Sequence, residues 1–330
     1  MVMEANIFDL LVRFNGSLKK EIHKLVENFN PHIIHSHNAP NTLTLAAIDC
    51  VNDIPVIHDV HEVLSVHNSG FKEGDAEETL NRYQSEEKKA NEESDARIYA
   101  TEGIKSYIEN SYDVESNNDL VFLNYPSKSM FPRSLPKKPQ KDDEIHIVYV
   151  GCVTSVVEGS HYDLRNIFKQ IANQRIHIHI YPTINLITKS NKTYQKLASS
   201  NEFIHFHSHL QQNELLKNIT QYDYGWAGLN SYKNGKHLDI VLPNKVMEYV
   251  ACGLPVLTFH HKTIAHFIEK NSLGIVLDDV NQLVDRIKNT NHSTLRENVL
   301  NRRYNFTIEK QIPKLVNFYE RIITQHPNND

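Results

Sequence analysis

Short strand-like segments alternate with helix-length segments along almost the whole chain. A buried strand is predicted at 32–37, followed by a helix beginning near Asn41, and further strands are predicted at 55–60, 97–100 and 120–123. The second half continues the alternation, with strands predicted at 145–151, 175–181, 203–207, 223–229, 255–259 and 274–277. Its clearest helices are predicted at 163–172, 211–219, 243–252 and 281–289. Strands separated by helices of ~10 residues indicate parallel sheets covered by helices on both faces.

A proline- and lysine-rich segment interrupts this alternation. Four of the twelve prolines stand at 126, 132, 136 and 139, with lysines between them. Proline removes backbone donors and disfavours helix in the preceding residue, so the segment 129–143 is predicted to be a hinge. The resulting division is an N-terminal Rossmann-like domain at 1–128, a second Rossmann-like domain at 144–310, and a C-terminal helix and tail at 311–330.

Length and composition agree with two globular domains. At ~150 residues per domain, 330 residues predict two cores, and 40% apolar residues are enough to fill them. No apolar run approaches the ~18–20 residues of a transmembrane helix. The net charge of −5 argues against nucleic-acid binding, and the acids among the first residues argue against a secretory signal. Three widely spaced cysteines predict reduced thiols in a cytoplasmic protein rather than a disulfide framework.

The segment PNKVMEYVACGLPV, residues 243–256, combines a helix start with charged groups. Pro243 fits the first helical turn, and Gly253 fits the end of the helix. The free N–H groups of such a helix start favour an anion, and Lys245 adds a mobile positive charge there. Glu248 follows within about one turn, where a carboxylate can accept hydrogen bonds from sugar hydroxyls. The alternative is an ordinary capped helix with Glu248 exposed.

This segment resembles the donor-site motif PxKxxEYxAxGxPV of GT-B glycosyltransferases, in particular the family-4-like group. Further segments resemble that family in the same order: PHIIHSHN, IPVIHDVHE, EEKKANEESDARIYATEGIKSYI, FLNYP, IVYVG and NELLKNITQYDYGWAGL. The resemblance extends over residues 17–290. It implies an α/β protein of the GT-B fold, with two Rossmann-like domains whose parallel sheets face each other across a cleft.

The resemblance also implies a function. It implies transfer of a sugar from a nucleotide-diphosphate donor to a glycan or lipid-linked acceptor, with retention and with neither a cofactor nor a bound metal. Lys245 and helix-end amides would stabilise the departing diphosphate, and Glu248 would hold the ribose. His61 would contact the sugar or accept a proton from the acceptor, although a lone histidine after a strand is otherwise a structural residue.

The full set of expected site residues follows from this resemblance and from positions just after strands. The expected catalytic residues are His61 and Glu248; the donor-binding residues are Gly151, Asn230, Asn244, Lys245, Glu248, Tyr249 and Gly253; the diphosphate contacts are Arg165, Lys233 and Lys236; and the acceptor-side residues are Asn38 and Glu62. No residue is expected to bind a metal.

Two features of the second half depart from the family pattern. Many relatives carry a Glu–x7–Glu pair, whereas Ile240 stands at the position of the first carboxylate, with Asp239 beside it. Relatives also place an Arg and a Lys soon after the IVYVG strand. Here Arg165, Lys233 or Lys236 would have to replace them, or donor binding is weak.

A larger departure lies at the front of the chain. The strand PHIIHSHN begins at residue 31, whereas GT-B N-terminal domains place further strand–helix units before it. We therefore expect a shortened N-terminal domain with an exposed sheet edge. The alternatives are a split enzyme completed by a partner chain and a non-catalytic subunit. A GT-B sugar-nucleotide epimerase is a further alternative, whereas the lack of GxGxxG after a strand disfavours a dehydrogenase.

Histidines recur at every second position in three segments: His35 and His37; His177 and His179; His205, His207 and His209. Alternation places each set on one face of its strand, where histidines can bind zinc. The sets belong to different strands in different domains and no cysteine accompanies them, so histidine-rich strands are favoured over a metal site.

The basic residues near the first helix suit contact with anionic lipid: Arg13, Lys19, Lys20 and Lys24. Acids are mixed among them, so a solvated helix is the favoured alternative. The expectation is a cytoplasmic enzyme, working at the inner face of the membrane in synthesis of a surface polysaccharide or glycoconjugate.

Overall fold

The protein divides into two units. The computed structural model describes residues 15–38, 40–69, 77–135, 144–183 and 189–326. The first unit comprises Met1–Leu123 and Ile312–Asp330, and the second comprises Asn124–Gln311. The C-terminal segment therefore belongs to the same unit as the N-terminal half.

A four-stranded parallel sheet forms the centre of the first unit, in the order β1-β2-β3-β4. Its strands are β1 Ile34–His37, β2 Val56–Val60, β3 Ala96–Tyr99 and β4 Asp119–Val121. Its helices are α1 Asn15–Phe29, α2 Thr42–Ile48, α3 Leu64–Ser69, α4 Glu77–Glu93 and α5 Glu102–Ser111. The last helix of the chain, α14, spans Ile308–Gln325, and the division between the units falls within it.

Helix α14 completes the core of the first unit. Phe318 and Ile322 are buried against Ile57 and Ile98 of the sheet. They are four residues apart and so lie on one face of the helix. Burial of two such side chains contributes about 3–6 kcal/mol to folding.

A six-stranded parallel sheet forms the second unit, in the order β10-β9-β8-β5-β6-β7. Its strands are β5 His146–Gly151, β6 His177–Pro182, β7 Ile204–Phe206, β8 Tyr224–Trp226, β9 Val256–Phe259 and β10 Gly274–Leu277. Its helices are α6 Arg165–Asn173, α7 Lys189–Ser199, α8 Gln212–Ile219, α9 Gly235–Ile240, α10 Asn244–Ala251, α11 Lys262–Asn271, α12 Leu283–Lys288 and α13 His292–Arg302. This is the doubly wound Rossmann order, in which the chain reverses direction across the sheet between β5 and β8.

Both faces of the second sheet are buried. Along β5, Ile147 and Tyr149 belong to one apolar cluster, whereas Val148 and Val150 belong to another. Because alternate residues of a strand point to opposite faces, the continuous apolar run of β5 requires helices on both sides. The predicted alternation of strands and helices is thus confirmed, and the fold class with it.

Five histidines of the second sheet form a group joined by ring hydrogen bonds and ring stacking, called here the histidine ladder: His146, His177, His179, His205 and His207. Ring nitrogens of neighbouring strands lie 2.9 Å apart for His146 and His179, 3.0 Å for His179 and His207, and 2.9 Å for His177 and His205. Burial and the neighbouring histidines lower the pKa of His179 to about 2 and that of His205 to about 4. The expectation that each set shares one face of its strand holds for these residues, and the parallel register brings the sets together.

The units divide earlier than the proline pattern suggests, between Leu123 and Asn124. Residues 136–143 of the predicted hinge lie outside the described part of the chain, but 129–135 belong to the second unit. Phe131 explains the difference, since its ring is buried and stacks on Tyr304 with centroids 5.5 Å apart. A buried aromatic anchor holds these residues to the second unit despite the prolines nearby.

No helix in the described ranges has the length and apolar character needed to cross a bilayer. Of the basic residues considered for lipid contact, Arg13 lies outside the described residues, and Lys19 forms a 2.8 Å ion pair with Asp49. The three cysteines, all described, are free thiols, and Cys252 is buried.

Candidate functional site

The carboxyl end of β5 lies at the point where the second sheet reverses its strand order. Ligands of doubly wound sheets bind outside the strand ends at this point. β5 ends at Gly151, whose φ of +136° is one that side-chain-bearing residues rarely adopt. A Cβ there would lie 3.3 Å from the Nζ atom of Lys245. Gly151 therefore leaves room for the lysine, and the two predicted site residues come together.

Lys245 is buried, although the sequence predicted a mobile charge. Its Nζ atom donates a hydrogen bond to the hydroxyl of Tyr149 at 3.1 Å and lies 4.2 Å from the centroid of that ring. The ring of Tyr162 is also close, at 5.8 Å. Burial lowers the pKa of Lys245 to about 8, although the negative charge of Glu248 opposes the shift. The ammonium is thus poorly solvated, so an added anion would interact with it strongly.

Helix α10 presents its N-terminus beside this lysine. Pro243 is the N-cap residue rather than part of the first turn, and the helix proper begins at Asn244. The exposed side chain of Asn244 accepts a hydrogen bond from Asn124 at 3.1 Å. The unpaired N–H groups of a helix start carry partial positive charge, which adds to that of Lys245.

Tyr249 fixes this helix to the sheet. Its hydroxyl accepts a hydrogen bond from the backbone N–H of Val150 at 2.9 Å and donates one to the carbonyl of Trp226 at 3.0 Å. The side chain is fully buried, so this predicted donor-binding residue acts inside the fold by joining the ends of β5 and β8. Gly253 likewise has a structural reason to be glycine, since its φ is +70° and a Cβ would lie 2.6 Å from Leu300.

Glu248 is partly buried rather than exposed on its helix. Burial raises the pKa of its carboxyl, while Lys245 and a hydrogen bond with the side chain of Gln212 oppose the increase. The carboxylate of Glu248 therefore lies on the same helix as the ammonium of Lys245 and beside the side-chain amide of Gln212. Such a group can accept hydrogen bonds from vicinal hydroxyls.

The three other basic residues predicted to contact a diphosphate are placed less favourably for that role than Lys245. Arg165 forms two hydrogen bonds with Asp163, at 2.7 and 2.8 Å, and its charge is matched there. Lys233 and Lys236 are exposed. The side-chain amide of Asn230 donates to the backbone carbonyl of Asp163 at 3.1 Å and so stabilises the local loop.

Asp239 does not replace the carboxylate missing at Ile240. It accepts a hydrogen bond from the backbone N–H of Lys262 at 3.3 Å, and its other carboxylate oxygen lies 3.7 Å from the Nζ atom of that lysine. Its carboxylate therefore binds Lys262, the first residue of α11.

In the first unit, His61 follows β2 and is held by Asp59. The Nε2 atom of His61 lies 3.1 Å from Oδ2 of Asp59, and that hydrogen bond raises the pKa of His61 more than burial lowers it. Burial opposes ionisation of Asp59, but hydrogen bonds from His35 and His61 hold its pKa well below the usual range. The Oδ2 atom of Asp59 therefore contacts His35 of β1 as well as His61.

Asn38 positions the turn that carries His61. Its Oδ1 atom accepts hydrogen bonds from the backbone N–H groups of His61 at 2.9 Å and Glu62 at 3.3 Å. Its Nδ2 atom donates to the carbonyl of Glu62 at 2.7 Å. The carboxylate of Glu62 contacts His67 at 2.7 Å. Asn38, after β1, thus fixes the turn after β2 that contains His61 and Glu62, so these three predicted residues lie together.

Sequence reasoning missed Tyr149, Gln212 and Asp59 as site residues. Tyr149 and Gln212 belong to elements far from α10 in the sequence, and no local motif marks them. Asp59 could have been found from a local signal. It lies near the end of β2, two residues before His61, and it stands opposite His37 of the neighbouring parallel strand β1.

Comparison with known proteins identifies the fold. The family profile "Glucosyltransferase 3-like, C-terminal domain" matches residues 164–308, which include Lys245 and Glu248. No curated protein sequence matches this chain. Sucrose-phosphate synthase from Thermosynechococcus elongatus is structurally similar over 94% of this chain and 79% of its own, with a TM-score of 0.70 and 13% identity. The chain has the GT-B glycosyltransferase fold.

Other solved structures share this GT-B architecture. HepE from Anabaena, in a complex with UDP, matches 93% of this chain and 81% of its own, with a TM-score of 0.64 and 11% identity. TarM from S. aureus matches 84% of this chain but 53% of its own, with a TM-score of 0.53 and 17% identity. At these identities the comparisons establish the fold alone.

Proposed function

We propose that this protein is a glycosyltransferase that moves a sugar from a nucleotide-diphosphate donor to a glycan or lipid-linked acceptor. The observation that supports it most is the buried ammonium of Lys245 beside Gly151, at the strand-order reversal of a GT-B fold. We infer that the donor diphosphate binds there, against Lys245 and the N-terminus of α10.

The chemistry of that site suits a departing diphosphate. Breaking the bond between the sugar and the diphosphate concentrates negative charge on the phosphate oxygens. A fixed ammonium and helix-end N–H groups stabilise this charge more than that of the intact donor, which lowers the barrier. We propose that these groups meet the charge without a metal on the diphosphate, and that transfer retains the anomeric configuration.

Glu248 has the features of a ribose-binding residue. It lies on α10 with Lys245, and Gln212 hydrogen-bonds to its side chain. A carboxylate accepts two hydrogen bonds from the neighbouring hydroxyls of a ribose, so Glu248 fixes the nucleoside while Lys245 contacts the diphosphate.

His61 is the proposed acceptor-side residue. Asp59 holds its Nε2 atom, which orients the ring and leaves Nδ1 for an acceptor hydroxyl. Asn38 fixes the backbone of the same turn. This arrangement resembles the way in which a carboxylate orients a histidine base in other enzymes.

The choice of donor and the pathway are further parts of the proposal. Anabaena HepE was solved with UDP-glucose, at a TM-score of 0.61 and 12% identity to this chain, so UDP-glucose is the first donor to test. We propose that the product is a surface polysaccharide or glycoconjugate made on the cytoplasmic side of the membrane.

Calorimetry with UDP-, GDP- and ADP-sugars tests the proposal. We expect micromolar binding of one donor, lost in Lys245→Met and weakened in Glu248→Gln. Lys169→Met is the matched control, because Lys169 is an exposed lysine of α6 in the same unit. Absence of binding by a folded wild-type protein would contradict a self-sufficient enzyme.

The second candidate is a subunit that acts only with a partner chain. The GtfA/B structure, whose name describes a complex, matches 93% of this chain with a TM-score of 0.63 and 11% identity. If no donor binds to the isolated chain, adding the product of a neighbouring glycosyltransferase gene should restore binding for a split enzyme and should leave a non-catalytic subunit inactive.

A further inference from the structure

Three histidines and one aspartate at the ends of β1 and β2 lie together, with the three rings around one carboxylate oxygen of the aspartate. We call them the histidine–aspartate cluster: His35, His37, Asp59 and His61. The Oδ2 atom of Asp59 lies 2.9 Å from Nε2 of His35, 2.8 Å from Nδ1 of His37 and 3.1 Å from Nε2 of His61. Three imidazole nitrogens thus surround a single carboxylate oxygen.

Protons alone do not satisfy these contacts. One carboxylate oxygen has two lone pairs, so it cannot accept well-formed hydrogen bonds from three ring nitrogens. In addition, Nδ1 of His37 and Nε2 of His61 are 3.1 Å apart, so both cannot carry a proton towards each other. At least one nitrogen is left facing its neighbours with a lone pair. A cation bound between His35, His37 and Asp59 would satisfy the ligand atoms of these three residues together.

The spacing of the atoms suits a small divalent cation. One ligand atom each from His35, His37 and Asp59 lies within 4.8 Å of the other two. Tetrahedral zinc holds nitrogen and oxygen ligands about 2.0–2.1 Å away, which places the ligands roughly 3.3 Å from one another. The observed contacts of Asp59 with the histidines are a few tenths of an ångström shorter, so small movements of the rings would admit the ion.

The surroundings of the cluster also suit a metal site. The hydroxyl of Tyr319 lies 2.7 Å from Nδ1 of His35, so it can accept that proton and leave Nε2 free to bind a metal. Asp59 is buried, so its carboxylate is held in one position facing the histidines. His37 is 62% exposed, which gives an ion a path from solvent.

We propose that His35 Nε2, His37 Nδ1 and Asp59 Oδ2 bind a zinc ion, while His61 stays outside the ligand set and keeps its hydrogen bond to Asp59. Imidazoles with one carboxylate favour zinc and similar transition metals over magnesium. The two histidine ligands come from β1, and Asp59 comes from β2. The pattern of histidines within a single strand therefore does not reveal this group of ligands. The site belongs to the first unit, apart from the proposed donor site, and it shares Asp59 with the turn that carries His61.

Calorimetric titration of the untagged, chelator-treated full chain with zinc chloride tests the proposal. We expect about one zinc ion per chain at this site, loss of that binding in His37→Asn, and a weakening of at least about tenfold in Tyr319→Phe. Zinc should raise the thermal midpoint of the wild-type protein but not that of His37→Asn. Magnesium chloride should do neither.

Two control variants locate the ion. His32→Asn removes an exposed histidine next to β1, and His207→Asn removes a member of the histidine ladder. Both should keep the site. Zinc binding that persists unchanged in His37→Asn, that disappears in His207→Asn, or that is absent from the wild-type protein would overturn the proposal. Because the His37 ring is largely exposed, its variant should fold, and circular dichroism checks this directly.

Discussion

The ammonium of Lys245 lies 4.2 Å above the ring of Tyr149 and donates a hydrogen bond to its hydroxyl. An aromatic ring and a hydroxyl stabilise a cation without cancelling its charge. The lysine is therefore held in place and remains available to an anion. This arrangement leads to the first two predictions, which concern donor binding.

Tyr149→Phe should weaken donor binding about fivefold. The variant keeps the ring but removes the hydrogen bond to Lys245, and such a bond contributes about 1 kcal/mol. Calorimetry with the preferred donor measures the change. Tyr222→Phe is the matched control, since it removes a buried tyrosine hydroxyl that contacts Tyr181 instead. Equal losses in both variants would show that the effect is a general one on the fold.

Donor affinity should fall as the pH rises through about 8. The pKa of Lys245 is lowered to about 8 by burial, so the free protein loses the ammonium above that pH. The bound diphosphate keeps the lysine protonated, and the affinity should then fall by up to about tenfold per pH unit. Titrations between pH 6.5 and 9.5 measure this. A flat profile in the wild-type protein would refute the role of Lys245.

Gly151→Ala should reduce donor binding while the protein still folds. The new Cβ would lie 3.3 Å from Nζ of Lys245, and a φ of +136° is strained for alanine by about 1–3 kcal/mol. Relief of that strain would displace the lysine from its place beside the strand end. Gly235→Ala serves as the control, because a Cβ there meets no atom within 4 Å. Unchanged affinity in Gly151→Ala would place the diphosphate elsewhere.

The protein should lose stability as the pH falls below about 6.5. His179 and His205 of the histidine ladder have folded-state pKa values of about 2 and about 4. Both are below the unfolded value of 6.5, so the unfolded chain takes up protons first. Each such proton lowers the free energy of unfolding by up to about 1.4 kcal/mol per pH unit down to the folded-state pKa.

Urea unfolding at pH 7, 6, 5 and 4 checks this pH dependence. His205→Asn should show a shallower decline than the wild-type protein, because one depressed histidine has been removed. His32→Asn, which removes an exposed histidine, should follow the wild-type curve. Identical slopes in all three proteins would show that other groups govern the acid response.

Much of the second unit was predictable because its signals are local. The β-branched run of β5 and the apolar spacing of α10 identify elements without reference to the rest of the chain. The resemblance to GT-B enzymes assigned Gly151 and Lys245 to one site, and the structure brings these two residues together.

The environment of those residues was not predictable in the same way. Lys245 was expected to be mobile because nothing in its own segment indicates a partner. Tyr149, which holds it, belongs to another strand and meets it only when the sheet and helix pack. The histidine–aspartate cluster also depends on the register of two strands, in which His37 stands opposite Asp59. Long-range register, rather than residue type, determines both sites.

Helix α14 has a consequence for how the protein is made. The ribosome produces the sheet of the first unit early, but Phe318 and Ile322, which cover Ile57 and Ile98, are added only after the whole second unit. The nascent first unit therefore leaves the ribosome with part of its apolar face uncovered, while the second unit is synthesised whole. A chain released before residue 318 would keep that face exposed, so quality control by chaperones should recognise C-terminal truncations even when the donor-binding unit has folded.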